Sequence, residues 1–308
     1  MGQSISPTTY SDAPPPLGRR YSVGGVGLLL DHAGNGGPPV VFLAGGTACA
    51  LNYLMLHQRV SAFTTSVVYD RGGIGWSEPV AFPRTCTEVA QELHDLLRVA
   101  GLDGPYVLVA HSYSGLLARR FTQMFPEAVA GVVGMEPLPE FWDESMPEQF
   151  GLSRTTEADE AVFLQDISEE MRDAIRGLLD DMLAGWPEGP RAALTAWHLD
   201  QDTMRAAALE RSNLADQPAE IRAAGPVPDR PLITLTGLKP DPGMQTFMSA
   251  AALDELTRAK CAMFDRLTRS VSDGEHRVLG YTSHGGMHTE AADDIIQAIR
   301  DMLAKVRP

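Results

Sequence analysis

Pro105-Tyr106-Val107-Leu108-Val109-Ala110-His111-Ser112-Tyr113-Ser114-Gly115-Leu116-Leu117 is the stretch whose reading decides the fold. A β-branched and aliphatic run ends in small-x-Ser-x-small, and a helical pattern follows with no polar linker. That is a strand, a sharp turn and a helix. At such a turn the central residue takes strained dihedrals, so its neighbours two positions away must be small, as Ala110 and Ser114 are. The central residue is Ser112. A turn of this kind, a nucleophile elbow, lifts the hydroxyl past the end of a sheet. The helix N-terminus behind it offers free N–H groups to a developing oxyanion. Small-x-Ser-x-small alone also occurs in ordinary strand-to-helix turns, and only the flanking strand and helix give it weight.

Outward from this stretch, Arg20 to His32 reads as two short strands around Gly24-Gly25, and Pro39–Leu43 and Thr65–Tyr69 as further strands. Thr85 or Thr87 caps a helix with Val89, Leu93, Leu96, Leu97 and Ala100 on one face, which Gly101-Leu102-Asp103-Gly104 stops. Beyond the elbow helix, strands are expected at Val129–Met135, ending at Glu136-Pro137, at Pro231–Thr236 and at Arg277–Leu279. Helical patterns lie near 248–270 and 289–305. Strands separated by helices predict an α/β fold: a mostly parallel sheet with right-handed crossovers and helices on both faces. Ligands bind at the carboxyl ends of such strands. Gly45, Gly46, Ser112, Glu136 and His284 all fall at those ends. The turn Asp70-Arg71-Gly72-Gly73-Ile74-Gly75 reads as architecture, with Asp70 and Arg71 pairing with each other and with backbone.

Residues 140–227 differ in character. Phe141, Trp142, Phe150, Met171, Met182, Trp186 and Trp197 lie among acidic helical segments, roughly 167–184, 190–199 and 202–214. So long a loop would be implausible, and the stretch reads as a helical cap inserted into a core of 18–139 and 228–308. Its apolar residues would pack the cap and roof an apolar pocket. Residues 1–17, rich in Ser, Thr and Pro, read as a flexible arm.

The 308 residues are 44% hydrophobic and 21% charged, in the range of a soluble enzyme. No apolar run approaches a membrane span and no secretory signal opens the sequence, so a cytoplasmic location is expected. The three cysteines, Cys49, Cys86 and Cys261, lack ligand spacing and are odd in number, which speaks against a disulfide framework or a metal site. A net charge of −15 disfavours nucleic acid and anionic membranes as partners and favours a small-molecule substrate that is neutral or cationic and partly apolar.

A serine hydroxyl is a poor nucleophile at neutral pH. A histidine must take its proton, and a carboxylate must hold the imidazole in the correct tautomer. Of the eight histidines, His284 lies in a glycine-flanked loop after the last strand, with His288 one helical turn later as the rival. His111, next to the serine, should point away by strand alternation, and the remaining histidines have no strand-end context. Two carboxylates fit the chain order Ser, acid, His: Glu136 after the strand that follows the elbow helix, and Asp241 after the strand that follows the cap.

These residues carry a resemblance. Leu43-Ala44-Gly45-Gly46-Thr47, Tyr69-Asp70-Arg71-Gly72-Gly73-Ile74-Gly75-Trp76-Ser77, Gly104 through Ser112 and Thr282-Ser283-His284 together resemble the α/β-hydrolase fold superfamily. They are most similar to its capped bacterial serine hydrolases, largely esterase-like. The resemblance implies Ser112 as nucleophile, His284 as base, and an oxyanion hole from the backbone N–H groups of Gly46 and Tyr113. Ala44 departs from it, standing where many relatives carry His. Gly131-Val132-Val133-Gly134-Met135-Glu136-Pro137 resembles the haloalkane dehalogenase branch, in which a Glu at this strand end is the acid of some members. That similarity favours Glu136 over Asp241. Those enzymes use an Asp nucleophile, so with Ser112 in the elbow dehalogenation is not implied.

The resulting expectation is a serine hydrolase, without cofactor or metal, that cleaves a carboxylic ester or lactone through an acyl-enzyme on Ser112. Acyl transfer or lactone formation would use the same residues. A ligand receptor on a hydrolase fold would keep them without turnover.

Overall fold

Alternation along the strands builds two apolar cores, one on each side of a single sheet. In the computed structural model, which describes residues 14–154, 168–242 and 244–307, the strands are β1 (Arg19–Val23), β2 (Val26–Ala33), β3 (Val40–Leu43), β4 (Ser66–Tyr69), β5 (Tyr106–His111), β6 (Val129–Met135), β7 (Leu232–Gly237) and β8 (Gly274–Leu279). They form one sheet in the order β1-β2-β4-β3-β5-β6-β7-β8. The β1–β2 and β2–β4 pairs are antiparallel and all the others parallel. In β5, Tyr106, Leu108 and Ala110 join one buried cluster, and Val107 and Val109 the other. In β3, Val41 and Leu43 separate from Val40 and Phe42 in the same way. This period of two, with both faces apolar, is what a sheet covered on both sides requires.

The helices are α1 (Leu54–Ser61), α2 (Cys86–Val99), α3 (Ser114–Met124), α4 (Trp142–Ser145), α5 (Glu169–Met182), α6 (Glu188–Leu199), α7 (Gln201–Glu210), α8 (Gln217–Ala223), α9 (Met244–Phe247), α10 (Ala250–Thr268), α11 (Met287–Glu290) and α12 (Ala292–Val306). Helices α2 and α3 cover one face through Leu93, Leu97, Leu116 and Phe121. On the other face α1 and α12 pack Leu56, Val60, Ile295 and Ile299. Thr85 opens α2 with a capping box, accepting from the Glu88 N–H while Glu88 reaches back to the Thr85 N–H. From β3 the chain moves outward to β4 and then crosses back to β5 on the other side of β3. The topological switch point therefore lies between the carboxyl ends of β3 and β5.

Helices α4 to α8 lie between β6 and β7. Leu179 of α5, Leu183 just past it, and Leu194 and Trp197 of α6 pack on Cys49, Leu51, Leu54 and Ile74, which follow the ends of β3 and β4. This insertion thus rests on the loops at the switch point. Residues 1–13 of the expected arm and 155–167 of the expected cap lie outside the described residues.

Several elements differ from their sequence reading, the unexpected short helices α4 and α9 among them. Helix α8 was not expected; its Pro218 sits in the first turn, where the missing N–H costs nothing. Strand β8 starts at Gly274, earlier than expected. It is an edge strand with mostly half-exposed residues, so no apolar alternation announces it. A methyl on Gly274 would lie 1.9 Å from Thr268 O, so only glycine fits that approach. The closing helix is broken at Ala291 into α11 and α12.

Candidate active site

Ser112 and Glu136 have φ of 55° and 46° and are the only non-glycine residues with positive φ among the described residues. Each directly follows a strand, β5 and β6 respectively. Such backbone costs on the order of 1–3 kcal/mol per residue and persists only where neighbours enforce it. Here the Ser112 N–H donates to Met135 O at 3.1 Å, the Leu138 N–H to Ser112 O at 2.9 Å, and the Glu136 N–H to Leu235 O at 3.0 Å. The two strained turns are therefore tied to each other. Gly115 is the tightest small position: a methyl there would lie 2.4 Å from Leu138 N. Ser114 does more than stay small, because its hydroxyl donates to Ala44 O.

The turn after β8 brings His284 over the elbow. His284 Nε2 lies 2.9 Å from Ser112 Oγ, and Nδ1 lies 2.6 Å from Glu136 Oε2. Since an ionised carboxylate only accepts, Nδ1 carries a proton and Nε2 is free to accept the serine's. The other oxygen, Glu136 Oε1, accepts from the Gly237 N–H at 2.9 Å and from Lys260 Nζ at 2.9 Å, and Lys260 also donates to Gly237 O at 3.2 Å. Burial raises the Glu136 carboxyl, but the hydrogen bond and charge of His284 and the charge of Lys260 outweigh it and hold the group down at about 2. For His284, burial favours the neutral ring. The hydrogen bond and charge of Glu136, with the charge of Asp241, prevail and raise the imidazole above its ordinary value, against an opposing effect of Lys260.

Asp241 stands outside this chain of hydrogen bonds. Its Oδ1 accepts from the Gly285 N–H at 2.7 Å, so it holds the turn that carries His284. His288 is buried and faces Tyr53, with ring centroids 5.7 Å apart, and neither of its ring nitrogens has a hydrogen-bond partner among the described residues. Burial pushes it down to about 4.

Two expectations need correcting. His111 was expected to point away from the site. It does take the face opposite Ala110, as alternation demands, but the turn after β8 descends onto that face. His111 Nε2–H therefore donates to His284 O at 3.2 Å. Because that carbonyl can only accept, Nδ1 of the neutral ring is the acceptor for the Tyr53 hydroxyl at 2.8 Å, and Tyr53 Oη in turn accepts the Gly45 N–H at 3.3 Å. Burial and the neighbouring His284 and His288 keep His111 far below its usual value and hence neutral. This brace, linking the glycine turn to the His284 turn, was missed because its members look like core residues in the sequence.

Asp70 and Arg71 were expected to pair with each other and with backbone; the backbone bonds are present and the mutual pair is not. Asp70 accepts from the backbone of Ala50 at 2.6 Å and of Trp76 at 2.8 Å. Arg71 pairs with Glu210 at the end of α7, through Nε to Oε1 at 2.5 Å and Nη2 to Oε2 at 2.9 Å. The partner lies in the insertion, far along the chain, so no local reading could supply it. Arg71 also donates to Ala44 O at 2.6 Å and Gly45 O at 3.1 Å.

Gly45 and Gly46 lie against the elbow. A methyl on Gly45 would lie 3.6 Å from Ser112 Cβ, and one on Gly46 would lie 3.3 Å from Tyr113 Cβ. The N–H groups of Gly46 and Tyr113 donate to no group among the described residues. A cavity of about 260 Å³ has Glu136, Lys260 and His284 in its wall, with Trp142, Phe150 and Leu256 giving it an apolar lining. A larger cleft of about 520 Å³, between the Gly73–Pro79 turn and α6 and α7, contains none of Ser112, Glu136 and His284. Among the described residues, no group of three or more His, Cys, Asp or Glu side chains converges as a metal site would. No helix among them is long and apolar enough to cross a membrane.

Residues 40–298 match the sequence profile of the Alpha/beta hydrolase family. The chain belongs to the alpha/beta hydrolase family. Among solved structures, this alpha/beta hydrolase is similar to a thermophilic esterase from Thermogutta terrifontis, with a TM-score of 0.65 and 17% identity over 96% of this chain and 100% of that one. It is also similar to a variant of a candidate epoxide hydrolase from Pseudomonas aeruginosa, with a TM-score of 0.66 and 17% identity over 94% of this chain and 95% of that one. At such identities the likeness concerns the fold. An AB hydrolase superfamily protein of Gibberella zeae is 35% identical over 99 residues, which are 32% of this hydrolase and 31% of that protein's length. The alignment thus spans about a third of that curated relative.

Proposed function

We propose that this alpha/beta hydrolase is a serine hydrolase of carboxylic esters or lactones, acting through an acyl-enzyme on Ser112. The observation that carries this reading is the unbroken hydrogen-bonded run from Ser112 Oγ through His284 to Glu136, beside two N–H groups that have no acceptor among the described residues. His284 Nε2 takes the hydroxyl proton as Ser112 attacks the carbonyl carbon, and the imidazolium so formed is stabilised by Glu136. The carbonyl oxygen becomes an oxyanion that accepts from the Gly46 and Tyr113 N–H groups. On collapse, His284 protonates the leaving alcohol, and the acyl group stays on Ser112. Water, deprotonated by the same nitrogen, then releases the acid.

In this reading the helices over the switch point serve as a cap that excludes water from the reacting carbonyl. The acidic chain disfavours anions at long range, which favours a neutral or cationic, partly apolar substrate. The test is hydrolysis of a panel of p-nitrophenyl esters and simple lactones by the wild type and by Ser112→Ala. Turnover by the wild type that Ser112→Ala lacks is expected; equal turnover by both would refute the mechanism.

A further inference from the structure

Arg71 and Glu210 are both nearly inaccessible, at 2% and 3% exposure, and an ion pair so deep is costly to form. Its stabilising value is weak grounds for keeping it, so what it holds is the more informative question. All three guanidinium nitrogens are engaged: one edge grips the Glu210 carboxylate, and Nη1 and Nη2 reach Ala44 O and Gly45 O at 2.6 and 3.1 Å. The Tyr113 ring lies against it, 5.6 Å from Cζ to centroid.

The Gly45–Gly46 peptide is trans, so its C=O and N–H point in opposite directions. A cation that fixes Gly45 O on the buried side therefore turns the Gly46 N–H to the other side. Gly45 O also accepts the Ala48 N–H, but at 3.3 Å and from a neutral donor, so the fixed guanidinium is the stronger hold on this carbonyl. Glycine has no side chain with which to add to it, and a Gly-Gly peptide held by a long neutral bond alone flips more readily. Ser114 Oγ and Arg71 Nη1 fix the preceding carbonyl of Ala44 in the same way.

We propose that Arg71, clamped by Glu210 of the insertion, is a positioning residue for the oxyanion hole: it holds the Gly45–Gly46 peptide with its N–H presented to the reacting oxygen. This rests on the serine-hydrolase reading above. The clamp joins the insertion to the oxyanion-binding turn, so the Gly46 donor is in place only where α7 is docked. Arg71 touches no substrate in this scheme and acts through the peptide it holds.

The test compares p-nitrophenyl butyrate with its thiono analogue, whose sulfur anion is a poor hydrogen-bond acceptor and draws little on the hole. Removing either charge alone strands the other, so the main variant is Arg71→Met combined with Glu210→Met, which keeps volume and leaves no unpaired charge. Arg71→Lys, a point charge that cannot grip a carboxylate and two carbonyls together, is the second. Loss of one oxyanion donor costs about 10²–10³ in kcat, so a loosened donor should cost the oxygen ester about 10–100-fold in kcat with little change in KM. The thiono ester should be nearly unaffected, and circular dichroism and melting should show a folded protein. Arg71→Lys should fall in between. An equal loss on both esters, or none, in folded variants would overturn the clamp while leaving the serine mechanism standing. Absence of Ser112-dependent turnover in the wild type would overturn the mechanism itself, and the clamp with it.

Discussion

Replacing Glu136 by glutamine keeps shape and removes one charge, and the structure dictates what the new amide must do. Two donors, the Gly237 N–H and Lys260 Nζ, both at 2.9 Å, converge on Oε1. The amide oxygen is therefore held there, and the NH₂ group faces His284 Nδ1. A nitrogen facing a donor must accept, so the imidazole proton moves to Nε2, and the ring can no longer take the proton of Ser112. The proposed mechanism needs the amide flipped, with NH₂ turned against both donors. Each opposed or stranded donor costs about 2 kcal/mol, about 4 kcal/mol together, so the competent arrangement is populated about 1 part in 10³. Glu136→Gln should lower kcat on an ester substrate by about 10³ with the fold unchanged. Adding Lys260→Met removes one of the two donors, and the double variant should regain about 30-fold over Glu136→Gln alone. Asp241→Asn, whose side-chain oxygen can still accept from the Gly285 N–H, should lose less than about tenfold, since a single neutral hydrogen bond is worth about 1 kcal/mol. Stopped or steady-state assays of all three variants at pH 8 decide it. A large loss in Asp241→Asn with little in Glu136→Gln would refute the assignment, and a double variant slower than Glu136→Gln would refute the orientation argument.

Lys260→Met in the wild-type background should move the acidic limb of the kcat/KM profile to higher pH. Lys260 opposes protonation of His284, and without its charge the ring stays protonated, and unable to act as base, to a higher pH; Lys260→Arg should leave the limb in place. A limb that stays put or moves to lower pH would show that Lys260 does not act on His284. His288→Phe should retain activity, since His284 alone faces Ser112, and inactivity in a folded His288→Phe protein would reopen the choice of base. The same variant should resist acid better. His288 is held at about 4 when folded and rises to its ordinary value when unfolded, so the unfolded state binds more protons below about pH 6.5, and stability falls with pH down to about 4. Urea denaturation at pH 7 and 4.5 should show the wild type losing about 2–3 kcal/mol more than His288→Phe over that interval.

The elbow and the sheet were legible in the sequence because one residue run satisfies several requirements at once. From Tyr106 to Ser112 the chain must bury both faces and then turn sharply on a small-x-Ser-x-small frame, and few other patterns meet both demands. The placement of His284 beside Ser112 was legible for a related reason, since it is the histidine just past the last strand. Between Glu136 and Asp241 the residues alone left the choice open, because both are carboxylates at strand ends beside proline, and only the family resemblance favoured Glu136. What separates their surroundings is the positive φ of Glu136 and the three donors gathered around it. Arg71 was read as local architecture because its partner, Glu210, is remote in sequence and lies in a helix with no motif of its own. His111 shows a different limit: alternation gives the face a side chain takes, and only the fold shows that the His284 turn lies on that face. Strand β8 was foreshortened because an edge strand need not bury alternate residues.

The central claim is that Ser112 is an activated nucleophile, and covalent labelling tests it without knowledge of the substrate. The protein would be exposed to an alkyl fluorophosphonate and the adduct located by peptide mass mapping, with Ser112→Ala and His284→Ala alongside. Stoichiometric phosphonylation of Ser112, absent from Ser112→Ala and strongly slowed in His284→Ala, is the predicted result. An unlabelled wild type beside a reacting control esterase, or label on another residue, would contradict it.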